Sequence, residues 1–216
     1  MTHNLSHNTN TSTREDGRET RAAIIEWAGR ILARKGYAKT TSKEICQAAG
    51  VNQAAVNYHF GNRDGLYIAV LEEVHNYLLN IDMLTTLNHS TLLPRQKLEI
   101  ILDTFIELGF QKNDWHVRVW INELLQPSPF IGQIISRKGW PKFYILRDIL
   151  CAVLGHDKDN IQTYSAYMSL IAPFFLLFIS QNSPVIEYLP VSCPREEFIK
   201  QLKENVLLLL DTLAKK

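Results

Sequence analysis

Residues 40–66 read TTSKEICQAAGVNQAAVNYHFGNRDGL, and the parsing of this stretch decides the fold. Thr41 stands where an N-cap is needed. Glu44, three residues on, completes the S/T-x-x-E pattern in which cap and glutamate satisfy each other's backbone donors. Ile45, Ala48 and Ala49 then give a small apolar face over residues 42–49. Gly50 ends that helix, because glycine enters the left-handed region without a Cβ penalty. Val51 and Asn52 open a second helix, with Ala55, Val56 and Phe60 turned inward. Small residues at Cys46, Ala49 and Gly50, and a compact Val56, let two short helices cross closely and steeply. The stretch is predicted to be a helix-turn-helix.

The outward face of the second helix carries the chemistry. Asn52, Gln53, Asn57, Tyr58 and His59 all make hydrogen bonds, and Ala54 is small enough for close approach. Amide side chains match base edges in a major groove, while hydroxyl and imidazole groups suit phosphate oxygens. The same pattern also suits a solvated face on an ordinary helical hairpin. Spacing alone leaves both readings open.

The run Gly36-Tyr37, Thr40-Thr41, Ile45, Ala48-Ala49-Gly50-Val51, Val56-Asn57-Tyr58-His59-Phe60 and Gly65-Leu66 resembles the N-terminal signature of TetR-type transcriptional regulators. The resemblance covers roughly residues 18–70. It implies an all-α chain with a three-helix head that reads DNA and a C-terminal helical bundle that dimerises. The DNA-contacting candidates are Thr40, Thr41, Ser42, Lys43, Asn52, Gln53, Ala54, Asn57, Tyr58, His59 and Arg63. Asn57 departs from the pattern, standing where these proteins commonly carry tyrosine. Further on, Glu123 with Pro127-Ser-Pro129 is similar to the CecR-like branch of the family.

Upstream, apolar residues recur at helical spacing over 18–35: Ala22, Ala23, Ile24, Ile25, Trp27, Ala28, Ile31 and Leu32. Gly36 closes this helix and Tyr37 anchors the connection onward. Of its cations, Arg14, Arg18 and Arg21 lie near enough to the start to reach a phosphate backbone. Residues 1–16 are polar and expected to be a disordered tail. The domain reading is therefore a tail over 1–16, a DNA-binding head over 17–65 and an effector-binding, dimerising body over 66–216.

Downstream, Asn62 is a candidate N-cap for a long helix striped by Leu66, Tyr67, Val70, Leu71, Val74 and Leu78. The Thr/Asn/His/Ser content of residues 82–94 predicts a loop. Pro94 starts a helix to about Leu108, with Ile100, Ile101, Thr104, Phe105 and Leu108 inward. Another helix starts at Asn113-Asp114, runs through Leu125 and stops at Pro127. A third covers 130–154, broken around Gly139-Trp-Pro141. The turn at 155–160 contains DKDN but lacks the later ligands and glycine of a calcium loop. The last helices span 160–180 and 194–214, with Ser192 as the natural cap of the second. Their apolar faces are broad: Tyr164, Tyr167, Met168, Ile171, Phe174, Phe175 and Phe178 on one, and Phe198, Leu202, Val206, Leu209, Leu210 and Leu213 on the other. Such faces suit either a large internal core or a second copy. The family resemblance implies that they pair with a second subunit.

Composition sets the outer bounds. The 216 residues are 46% hydrophobic and 21% charged, with a formal net charge of +1, as in ordinary globular chains. Residues 1–65 carry nine Lys/Arg against six Asp/Glu, whereas the remainder carries fourteen against sixteen. A mildly basic head on a mildly acidic body fits a DNA-reading module fused to another function. Cys46, Cys151 and Cys193 show no metal-ligand spacing, which fits a reduced cytoplasmic compartment with no metal, no cofactor and no disulfide framework. Leu170–Ile179, the most apolar run, is too short to span a membrane. No catalytic constellation emerges, so an enzyme is not expected. The body does set aromatics beside cations. Phe105, Trp115, Arg118, Trp120, Tyr144, Arg147 and Phe174 are candidates for a small-molecule effector, aromatic or anionic in class; residue by residue, a satisfied core with peripheral arginines is the simpler account of them. The expected partners are palindromic double-stranded operator DNA, that effector and a second copy of the chain. The rival reading is a constitutive DNA-binding protein whose body only dimerises or binds a partner protein.

Overall fold

A computed structural model describes residues 9–111, 114–180 and 194–214; among them there is helix and turn but no strand. The helices are α1 (Thr9–Lys35), α2 (Ser42–Ala49), α3 (Gln53–Phe60), α4 (Arg63–Leu78), α5 (Ile81–His89), α6 (Pro94–Gly109) and α7 (Trp115–Leu125). They continue with α8 (Ile131–Ile134), a π turn (Ile135–Gly139), α9 (Trp140–Leu154), α10 (Ile161–Ser180) and α11 (Arg195–Leu213). Helix α1 begins at Thr9, so residues 9–16 are helical rather than the disordered tail expected of them. Ser192 and Cys193 lie outside the described residues.

Two compact units emerge: Met1–Val74 with Arg118–Ile131, and His75–Val117 with Gly132–Lys216. The divide falls inside α4 and inside α7, not at residue 65.

In the first unit, α1 packs on α2 and α2 on α3. Helix α1 buries Ile24, Ile25, Ala28, Ile31 and Leu32. Ala22 and Ala23 are exposed, as is Trp27, whose ring lies under the Arg30 guanidinium at 5.4 Å. Ile45, Cys46 and Val56 complete the core together with Leu66, Tyr67, Val70, Leu71 and Val74 of α4.

In the second unit α9 is central, packed against α5, α6, α10 and α11. The loop expected over 82–94 is largely helix α5. Asn80 Oδ1 caps it by accepting from the N–H groups of Asp82 and Met83 at 2.8 and 3.2 Å. Leu84 is buried beneath, and Thr85 folds its hydroxyl onto the Ile81 carbonyl at 2.8 Å. One anchoring leucine and a good cap outweigh the polar composition. In α6 the buried residues are Leu98, Ile101, Leu102, Phe105 and Gly109. Ile100, expected inward, is exposed. The break expected near Pro141 is a π turn, in which Trp140 N–H reaches back to the Ile135 carbonyl. Widening the helix here relieves the clash that a proline ring makes with the carbonyl four residues earlier. Helix α10 buries Thr163, Ala166, Leu170, Phe174 and Phe178; of the broad face expected for it, Tyr164 and Met168 are left exposed. By length and composition α10 could cross a membrane.

Candidate nucleic-acid interface

The capping box predicted at Thr41 is present. Glu44 N–H donates to Thr41 Oγ1 at 3.3 Å, and Thr41 N–H donates to Glu44 Oε2 at 3.1 Å. Lys35 also binds Glu44, and its hydrogen bond is the main cause holding that carboxyl below its usual range. Gly50 ends α2 with φ at 67°, the left-handed region that favours glycine. Asn52 caps α3, its Oδ1 accepting from Ala55 N–H at 3.0 Å. Asn62 Oδ1 accepts from Gly65 N–H at 2.8 Å as α4 begins. Gly65 is obligatory for a different reason: a Cβ there would lie 2.0 Å from the Phe60 carbonyl oxygen.

These devices leave one polar surface. Thr41, Lys43, Asn52, Gln53, Ala54, Asn57 and Tyr58 are exposed, Tyr58 by 85%. Ser42 and His59 are half-buried, and the Tyr58 and His59 rings meet edge-on at 5.0 Å. Thr41 and Asn52 spend a side-chain oxygen on the caps described above, and two further DNA-contacting candidates, Thr40 and Arg63, are also engaged within the head. Thr40 is only 2% exposed and donates its hydroxyl to the Gly36 carbonyl at 2.8 Å. Arg63 donates to the Tyr37 carbonyl and lies 4.2 Å over the Tyr37 ring. Between α1 and α2 lies an open groove of about 480 Å³, lined by Ile31, Arg34, Lys35, Glu44, Gln47 and Ala48.

A polar cluster that sequence reasoning did not find supports this surface. Tyr37 donates its hydroxyl to Asp64 at 2.6 Å and packs on Tyr67 at 4.5 Å, with Phe130 edge-on at 5.6 Å. Tyr67 in turn donates to Glu123, which is 1% exposed. Glu123 also accepts from Ser128 Oγ at 2.8 Å and Ser128 N–H at 3.3 Å. Burial first, and then the Glu123 carboxylate, push the Tyr67 hydroxyl well above its usual range, so it remains a donor. Asn122 adds hydrogen bonds to the carbonyls of Leu32 and Ala33, at 3.3 and 3.1 Å. Glu123 and Ser128 were legible only as part of a family-like motif, because nothing local announces a buried carboxylate.

The effector candidates are not gathered in one unit: Arg118 and Trp120 belong to the first, the other five to the second. Phe105 packs against Phe175 and Phe178 at 5.5 and 5.1 Å, and Phe174 is fully buried. Trp115 is buried and stacks on His116 at 3.7 Å. Tyr144 is exposed beneath the Arg147 guanidinium, which also pairs with Asp148 at 2.9 Å.

A capped helix-turn-helix with a polar outward face, attached to a separate helical unit, places the chain in the architectural class of helix-turn-helix regulators. Residues 24–70 match the family model for bacterial regulatory proteins of the tetR family, and residues 94–185 match the C-terminal domain of the HTH-type transcriptional dual regulator CecR. Both matches are to TetR-type regulators, one over the head and one over part of the body. The HTH-type transcriptional regulator TtgR of Pseudomonas putida is 43% identical over 63 residues, which cover 29% of this chain and 30% of that protein. AcrR of Shigella flexneri is 33% identical over 60 residues, 28% of each chain. The match thus spans less than a third of these relatives. Among solved structures, the transcriptional regulator FadR from Bacillus subtilis in complex with stearoyl-CoA superposes with a TM-score of 0.64 at 19% identity, covering 89% of this chain and 98% of that one. That likeness is one of fold.

Proposed function

We propose that the chain is a ligand-responsive transcriptional regulator, a repressor that binds palindromic operator DNA as a homodimer and leaves it when a small effector binds. The observation that carries the reading is the exposed amide and hydroxyl face of α3, held rigid by caps at Thr41 and Asn52. Gln53 and Asn57 face base edges, while Thr41, Ser42, Lys43, Tyr58 and His59 meet phosphates. Dimerisation is supported by a stripe of exposed apolar side chains on α10, namely Ile161, Tyr164, Met168, Leu176 and Ile179, with Leu208 and Leu209 on α11. A two-fold pair of heads then meets half-sites about one helical turn apart. The effector binds the body and favours a dimer whose heads are spaced wrongly. Helix α4, unbroken from Arg63 to Leu78, is the route by which the change travels.

Selection from a randomised duplex library tests this. Gln53→Ala should flatten the preference at one base position by about 1–3 kcal/mol, whereas Tyr58→Phe or His59→Ala should weaken all sequences alike. An unchanged selection profile for Gln53→Ala would refute the base-reading role. The close packing of Phe105, Phe174 and Trp115 favours a second reading, in which the protein is constitutive and its body only dimerises. Arg118→Ala and Arg147→Ala separate the two. Under effector control they leave operator binding intact and blunt release by an anionic aromatic ligand; a wild-type complex indifferent to a panel of such ligands supports the constitutive reading.

A further inference from the structure

The two amides on the outward face of α3 are not independent. Gln53 Nε2 donates to Asn57 Oδ1, one turn later, at 3.3 Å. From α2, the Cys46 thiol donates to Gln53 Oε1 at 3.6 Å. Cys46 is 7% exposed, while Gln53 and Asn57 are open to solvent. Burial pushes the thiol's pKa up, so it keeps its proton at neutral pH.

These bonds select one of the two orientations an amide can take. With Gln53 alone turned over, its oxygen would face Asn57 Oδ1, acceptor against acceptor. With both amides turned over, an N–H would be aimed at sulfur, a poorer acceptor than the amide oxygen that now receives the thiol proton. In the observed arrangement Gln53 retains one lone pair on Oε1 and one hydrogen on Nε2. That acceptor–donor pair matches the N6 amino group and N7 of adenine in the major groove. Asn57 retains both Nδ2 hydrogens and so presents a donor, suited to thymine O4 or to guanine O6 and N7.

We propose that Cys46 is a positioning residue for base readout, holding Gln53 in the orientation that reads adenine, with Asn57 as the second brace. The inference rests on the DNA-binding reading above. A thiol is a weak donor, so its contribution lies in orientation and appears in base preference rather than in overall affinity.

The test is library selection with the full chain, comparing wild type, Gln53→Ala, Cys46→Ala, Cys46→Val and Cys46→Ser, each checked for fold by circular dichroism. Wild type should select adenine at one position of each half-site, by about 5- to 150-fold over other bases. Gln53→Ala should remove that preference. Cys46→Ala and Cys46→Val should shrink it about threefold or more at the same position and leave the other positions alone. Cys46→Val keeps the buried volume, so it serves if the smaller variant fails to fold. Cys46→Ser, which restores a donor, should recover the preference. An unchanged adenine preference in both donorless variants would overturn the inference, as would an equal loss at every position. If the wild-type chain enriched no sequence at all, the DNA-binding reading itself would fall, and this inference with it.

Discussion

Replacing Glu123 by alanine should be among the most damaging single changes in the first unit. The carboxylate is buried, and its hydrogen bonds from Tyr67 Oη, Ser128 Oγ and Ser128 N–H tie residues 123–128 to α4. Hydrogen bonds to a charged group contribute about 1.5–3 kcal/mol each, but such values do not add within one network. The deletion also strands three buried donors. A total loss of about 3–5 kcal/mol follows. For a chain of this size that lowers Tm by about 6–20 °C. Tyr67→Phe and Ser128→Ala each remove a donor but leave the anion partly bonded, so each should lose about 1–3 kcal/mol. Thermal unfolding by circular dichroism reads the totals, and hydrogen exchange should show residues 118–131 opening first in Glu123→Ala. If that variant melted within about 2 °C of wild type, the reasoning would be wrong. Desolvation of the carboxylate would then cancel what its hydrogen bonds contribute.

Gly65→Ala forces a Cβ against the Phe60 carbonyl oxygen. It should lose about 1–3 kcal/mol and misplace α3; operator binding equal to wild type in a gel-shift titration would contradict this. Met168→Glu with Leu176→Glu should leave a folded monomer by sedimentation, because both side chains lie on the exposed stripe of α10. A wild-type chain already monomeric at micromolar concentration would sink the dimer reading. His75 is buried, and burial, with smaller effects from Lys142 and Lys138, lowers its pKa from 6.5 to about 3. Below pH 6.5 the unfolded chain gains a proton that the folded chain refuses, so stability falls with pH down to about 3, by at most about 1.4 kcal/mol per pH unit. Urea melts between pH 7 and 4 should show a shallower decline for His75→Leu; identical slopes would exclude this group as the cause.

The local signals proved reliable where a single residue type does a single job. Thr41 with Glu44, Gly50 and Asn62 could be read because caps and left-handed turns depend on neighbours within four residues, whereas Asn52, read as part of the outward face, turns its oxygen to the cap of α3. The loop expected over 82–94 failed for the complementary reason. Its polar residues line the open side of α5, while burial of Leu84, a tertiary fact, makes the helix worthwhile. The same holds for α10. Its wealth of aromatics fits several helical faces, and contact with α9 and α11 chose the one through Thr163, Ala166, Leu170, Phe174 and Phe178.

The sequence by itself determined the helix-turn-helix, its caps and the polar face it presents, since short-range hydrogen bonds and helical period suffice for these. Only the tertiary structure decided which polar residues are spent on holding the head together. Thr40, Arg63 and Glu123 look like surface groups in the sequence. Each is instead bonded inside the first unit, to Gly36, to Tyr37, and to Tyr67 with Ser128. A buried polar group must find its partners, and partners as many as 56 residues apart along the chain meet only when the chain has folded.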